Sequence, residues 1–273
     1  MYFPKENQLF YLFILLLTIL FGVFNTIYYF EDIDSLRFAT GIKYGYDISK
    51  MQPHFPGYPI FHFLASTIYL LTNNLGLTFS LIGSISLFIM ITSTINIINS
   101  KSLLNNLLIT LIILFNPLFS LMSTRYMPDL FGLAICTMIF YCLMYSNNSN
   151  YKIFGFLLCG VLIGIRLSYF PLIIIPMIYI VLNSRNFLYL GIVFLLGVLV
   201  WLLPLILHQG WLSIYDAGTS HMWGHFTQYG GTIFTEKNIF IRLKSIFHTL
   251  WADGFGGYWV NRSIITVFIS INL

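Results

Sequence analysis

The segment Glu31-Asp32-Ile33-Asp34-Ser35 sets three carboxylates within five residues, directly after the apolar run Leu9–Phe30 and ahead of the turn Gln52-Pro53-His54-Phe55-Pro56-Gly57-Tyr58-Pro59. Acids at the mouth of a membrane helix cannot enter hydrocarbon, so they face water or a polar cavity. A carboxylate in that position can take the proton of a hydroxyl whose oxygen attacks an activated carbon, which makes Asp34 a candidate base. Asp32 beside it either shifts its ionisation or shares a cation with it, because like charges in close proximity resist joint ionisation. The same acids also read as a solvated helix end. Prolines 53, 56 and 59 with Gly57 forbid helix and hold His54 in a rigid turn, where it is either a positioned ring or a plain turn residue.

These residues need a scaffold, and the composition says which kind. The chain is 58% hydrophobic and only 8% charged, with a mean hydropathy of +0.84, far from the charge content of a soluble domain. The fold class expected is all-α, a polytopic transmembrane bundle of about seven to eight spans at roughly 20 residues each. Spanning runs read as Leu9–Phe30, Leu77–Ile98, Leu103–Met122, Leu130–Ser146, Ile153–Ser168, Phe170–Leu182 and Phe187–Leu207, with Pro171, Pro176 and Arg166 bending or dividing the fifth and sixth. Residues 1–273 form a single membrane domain. Placing the first span from inside to outside makes 31–76 the first outer loop and 208–263 a long outer loop, and puts every acid except Glu6 on the outer face. Ile60–Leu71 and Lys237–Trp251 read as interfacial helices in those two loops. The run Ile264–Leu273 is too short to cross a bilayer, so the chain reads as shortened at its C-terminus.

Other features narrow the chemistry. Cys136, Cys142 and Cys159 lie inside apolar runs and read as buried small hydrophobes, with no disulfide and no zinc. The net charge of +4 comes without a basic run, so a nucleic-acid partner is not expected. His221-Met222-Trp223-Gly224-His225 with Gln228 and Gly230-Gly231 reads as a polar, aromatic, glycine-bent surface for a sugar, the glycines arguing against helix and a metal role for the histidine pair disfavoured.

The order of spanning helix, acidic pair, Asp34-Ser35-Leu36-Arg37-Phe38, the Gln52–Pro59 turn and an amphipathic segment resembles the first outer loop of the GT-C fold membrane glycosyltransferases. The likeness is greatest to the protein O-mannosyltransferase type, which uses polyprenyl-phosphate sugars, and it extends over residues 1 to about 185 in helix order. The resemblance implies that Asp34 is the catalytic base with Asp32 beside it, and that His54 belongs to the histidine-proline element. It also implies that Asp129, in Arg125-Tyr126-Met127-Pro128-Asp129, is the family's second outer acid. Several members carry a lysine after the histidine-proline element to pair with the donor phosphate. Here Tyr58-Pro59-Ile60 stands in its place, so Arg125 and Arg166 become the candidate phosphate ligands. The implied activity is inverting transfer of a sugar from a polyprenyl-phosphate donor to a glycan, lipid or protein hydroxyl at the extracytoplasmic face. His221, His225 and Gln228 are candidate substrate contacts. No nucleotide cofactor is expected, and a divalent cation on Asp32, Asp34 and Asp129 is left open. The rival readings are a non-catalytic shortened relative and a transporter or lipid flippase.

Overall fold

The computed structural model describes residues 8–228 and 238–255 together with Gly257 and Ile264; Lys5, Glu6, Gly230, Gly231 and Glu236 lie outside the described residues. The described chain is all-α, its only bridge of strand type joining Asp47 to Gln52. The helices are α1 Gln8–Phe24, α2 Ile33–Tyr44, α3 Pro59–Thr72, α4 Leu75–Ile98, α5 Leu103–Phe115 and α6 Pro117–Met122, followed by α7 Asp129–Phe140, α8 Ser149–Arg166, α9 Phe170–Leu182, α10 Phe187–Gln209, α11 Trp211–Thr227 and α12 Ile239–His248. Among the described residues three stretches are long and apolar enough to cross a membrane: α4, the continuous Ser149–Leu182 that contains α8 and α9, and α10. The outward residues Leu195, Leu196, Leu199 and Leu203 of α10 are about half exposed, the surface of a helix apolar all round.

Local chemistry sets the helix starts. Asn74, Ser102, Asn116 and Asn148 each accept a backbone N–H at the first turn of α4, α5, α6 and α8, satisfying donors that the helix leaves free. The expected runs and the helices differ where such groups intervene. The first helix stops at Phe24 rather than Phe30, because Asn25 and Thr26 bond back to Phe21 and Gly22 and the Ile27 carbonyl accepts from the Tyr126 hydroxyl at 2.9 Å. The Leu103–Met122 run divides at Asn116, whose extended backbone precedes Pro117. The 130–146 run winds loosely as a π turn over Tyr141–Tyr145.

Two segments read from sequence as parts of outer loops are helical. Asp32 is the N-cap of α2, its carboxylate accepting from Ser35 N at 2.8 Å, so the acidic cluster opens a helix instead of closing one. The glycine-bearing segment with His221 and His225 is α11. Its two internal glycines cost about 1 kcal/mol each in helix propensity, offset by packing one face of the helix on the 48–55 turn, where Phe55 lies against Gly218.

In the interior α4 packs between α1 and α7, and α8 between α7 and α10. At the α8–α10 crossing a Cβ on Gly160 would strike the Phe194 carbonyl and one on Gly197 the Leu157 carbonyl, so the backbones meet only because both positions lack one. Trp201 Nε1 closes the crossing with a 3.0 Å bond to Gly160 O. A separate cluster of Phe38, Tyr58, Phe61, Phe79 and Tyr126 joins α2, α3 and α4, with Phe79 and Tyr126 stacked at 4.4 Å. The side chain of Gln209, last residue of α10, donates to Tyr46 O at 3.1 Å and accepts from Ile48 N at 3.2 Å.

Candidate active site

Each of the three acids singled out from sequence is engaged by a different arginine. Asp34, in the first turn of α2, accepts from Arg37 Nη1 one turn along at 2.9 Å, the i to i+3 spacing at which helix side chains meet. Asp32 pairs with Arg125, whose Nε also stands 2.8 Å from Glu31. Asp129 pairs with Arg166 at 2.9 Å. That last pair joins the start of α7 to the end of α8, where the helix dipoles favour an acid and a base respectively.

The 51–58 turn packs on α2 through Phe38, whose ring centroid lies 6.2 Å from that of His54 and 5.1 Å from that of Tyr58. His54 is thereby buried with Nδ1 at 3.4 Å from Asp34 Oδ1 and Nε2 at 2.9 Å from the Tyr58 hydroxyl. Arg166 Nη1 donates to that hydroxyl at 3.0 Å, and its guanidinium carbon lies 5.4 Å from the Tyr58 ring centre. Tyr58 holds a left-handed backbone, φ 48°, a conformation that costs a non-glycine residue of order 1–3 kcal/mol. From α11, His221 stacks on His54 with centroids 5.4 Å apart, and its Nε2 lies 3.1 Å from His225 Nε2.

Asp34, Arg37, His54, Tyr58, Arg166, His221 and His225 line one cleft of about 890 Å³. A second chamber of about 490 Å³ shares Met51, His54, Phe55 and His221 with it and is otherwise walled by Ile48 and Ser49 and by Ser213, Asp216, Ala217 and Ser220 of α11. A third cavity of about 520 Å³, between α3 and α10 and lined by Tyr46, His62 and Trp201, shares none of the cleft's residues. Of the residues anticipated from sequence, Asp34, His54, Arg166, His221 and His225 meet at the cleft. Asp129 stands behind Arg166, and Asp32 and Arg125 hold each other outside the lining. Gln228 follows the last turn of α11, exposed and outside the lining. Among the described residues no three His, Cys, Asp or Glu side chains are grouped to hold a metal.

Arg37 and Tyr58 were not anticipated. The sequence signal for Arg37 is its place three residues after Asp34 on a helix, legible only once Asp32 is recognised as a cap. Tyr58 was passed over as a substitute for a lysine, and its bonds to His54 and Arg166 join parts of the chain that sequence spacing does not relate.

The electrostatics follow from burial. Desolvation drives the His54 pKa down to about 4 against the attraction of Asp34, and His221, Arg37 and Arg166 add to the fall. Burial likewise lowers His221, with His225 contributing, and raises the Tyr58 hydroxyl to about 12. Burial pushes Asp32 up, but the bonds from Ser35 and the charge of Arg125 together outweigh it and hold the carboxyl below its ordinary range. The cleft is lined by the guanidinium groups of Arg37 and Arg166 and the side chain of Asp34, beside a His54 that burial keeps uncharged at neutral pH. No family model, no curated protein and no solved structure matches the chain.

Proposed function

We propose that the chain is an inverting membrane glycosyltransferase of the GT-C type, crossing the bilayer about seven or eight times, with the cleft at the extracytoplasmic face. Its donor is a polyprenyl-phosphate sugar and its acceptor a hydroxyl group of a glycan, lipid or protein. The observation that carries the reading is the convergence, at one cleft of about 890 Å³, of a carboxylate from α2 with two arginines from α2 and α8. A base and an anion-binding fork within one cavity are what displacement of a lipid phosphate by an alcohol requires.

In the proposed reaction the acceptor oxygen attacks the anomeric carbon while Asp34 takes its proton. The bond from that carbon to the phosphate oxygen breaks, and the polyprenyl phosphate leaves as an anion toward Arg166 and Arg37. Oδ1 of Asp34 is taken up by Arg37 and faces His54, whereas Oδ2 has no partner among the described residues, leaving it for the incoming hydroxyl. Arg166, fixed by Asp129 and Tyr58, fills the role that the missing lysine leaves open. The second chamber, with Ser49, Ser213 and Ser220 and a shared wall at His54, suits the acceptor.

The test is release of polyprenyl phosphate by the purified protein given polyprenyl-phosphate mannose together with an alkyl glycoside whose hydroxyls serve as acceptor. Asp34→Asn is expected to lower the rate by about a hundredfold or more, the usual contribution of a general base, with the protein still folded in detergent. An active Asp34→Asn variant, or a wild-type protein inert to lipid-phosphate sugars, overturns the proposal.

A further inference from the structure

We infer that His54 is locked by Tyr58 as the Nδ1–H tautomer and acts as a fixed hydrogen-bond donor to Asp34, a positioning residue rather than a carrier of the reaction's proton. The assignment of the tautomer stands on geometry alone; its role beside Asp34 rests on the sugar-transfer reading.

The hydrogens can be assigned from the Arg166 end. A guanidinium has donors and no acceptor, so the Tyr58 oxygen, 3.0 Å from Arg166 Nη1, accepts there. Tyr58 then has one proton to place, and His54 Nε2 at 2.9 Å is the acceptor in reach. Nε2 must therefore present its lone pair, and the ring's proton sits on Nδ1. The opposite end gives the same answer. Nδ1 is buried without a close hydrogen bond among the described residues and faces the acceptor-only Oδ1 of Asp34 at 3.4 Å. A lone pair on Nδ1 would confront a carboxylate oxygen, and the Tyr58 proton would lose its acceptor in a buried site. Reversing the tautomer thus costs both contacts at once.

At 3.4 Å the contact is longer than a tight hydrogen bond, and catalytic hydrogen bonds of this kind often tighten only in the reacting complex. With Nδ1 already protonated and Nε2 occupied by Tyr58, His54 has no free nitrogen to receive the acceptor's proton. That proton stays on Asp34 until product leaves. Tyr58 acts through His54 and is a second positioning residue, held by Arg166 and, behind it, Asp129.

Two readouts separate failure of this inference from failure of the proposed reaction. In protein labelled with 15N-histidine and held in lipid at pH 7, the His54 signal, assigned by its loss in His54→Asn, is expected to show protonated Nδ1 and bare, hydrogen-bonded Nε2. In Tyr58→Phe the Nε2 resonance is expected to shift as that bond is lost. Activity on polyprenyl-phosphate mannose supplies the second readout. An asparagine amide nitrogen reaches the place of Nδ1, so His54→Asn is expected to stay within about tenfold of wild type. His54→Ala and His54→Gln are expected to lose about 10- to 100-fold in kcat, the scale of one hydrogen bond to a charged group, with donor KM little changed. A protonated Nε2 in the wild type, an unmoved Nε2 signal in Tyr58→Phe, or His54→Asn as impaired as His54→Ala overturns the inference. A correct spectrum from a protein that transfers no sugar would uphold the tautomer and remove the reaction.

Discussion

Arg166 has a partner on each side, Asp129 at 2.9 Å and Tyr58 at 3.0 Å, and this fixes the plane of its fork. Arg166→Lys keeps the charge but cannot hold both partners in that plane, so donor KM is expected to rise about tenfold or more while the fold survives; steady-state kinetics at varied donor concentration checks this. His54 sets a pH dependence. Its pKa is about 4 in the folded protein, against about 6.5 unfolded. Between those values the unfolded chain binds more protons, so stability is greatest above pH 6.5 and falls as pH drops toward 4. The burial of His221 acts in the same direction. Thermal melts in detergent between pH 7.5 and 4.5 are expected to show Tm falling with acid, less steeply in His54→Asn. At this scale Asp34 and His54 of the candidate cleft were legible because carboxylates are scarce in so apolar a chain and proline marks a rigid turn. The bonds that link His54 onward were not, because Tyr58 meets Arg166 only through tertiary packing across 108 positions.

The acidic cluster does two jobs within α2. Asp32 caps the helix through Ser35 N and pairs with Arg125, and substitutions can separate them. Asp32→Asn keeps a capping oxygen and loses the charge, whereas Asp32→Ala loses both and is expected to cost about 1 kcal/mol more, read as a lower Tm. The α8–α10 crossing makes a sharper demand: Gly160→Leu drives a side chain into the Phe194 carbonyl and is expected to destabilise by about 1–3 kcal/mol or more, measured by thermal aggregation in detergent. Apolar length located α4 and α10 to within two residues at each end. It failed at α2, too polar and short to register, and at α11, where local glycine propensity yields to packing on the 48–55 turn.

For the molecule as a whole, the three free cysteines are all buried, so introduced thiols can report sidedness against a silent background. Ser220→Cys, exposed on α11, is expected to react with a membrane-impermeant maleimide added outside intact cells, and Ser149→Cys, at the opposite end of α8 from Arg166, only after lysis. Labelling of Ser149→Cys from outside, with Ser220→Cys reacting only after lysis, would invert the proposed topology. Composition made the all-α, apolar character plain, and three stretches answer to it by length. What composition does not carry is the order in which helices neighbour one another, which depends on small residues such as Gly160 and Gly197 meeting across sequence. The clasp at Gln209 gives that arrangement a mechanical consequence. The same amide holds Tyr46 and Ile48, so the foot of an apolar helix is tied to the turn that walls the second chamber. A thicker or thinner hydrocarbon slab that shifts α10 along its axis pulls on that tether, and turnover in vesicles of graded acyl-chain length should follow slab thickness until Gln209→Ala cuts it.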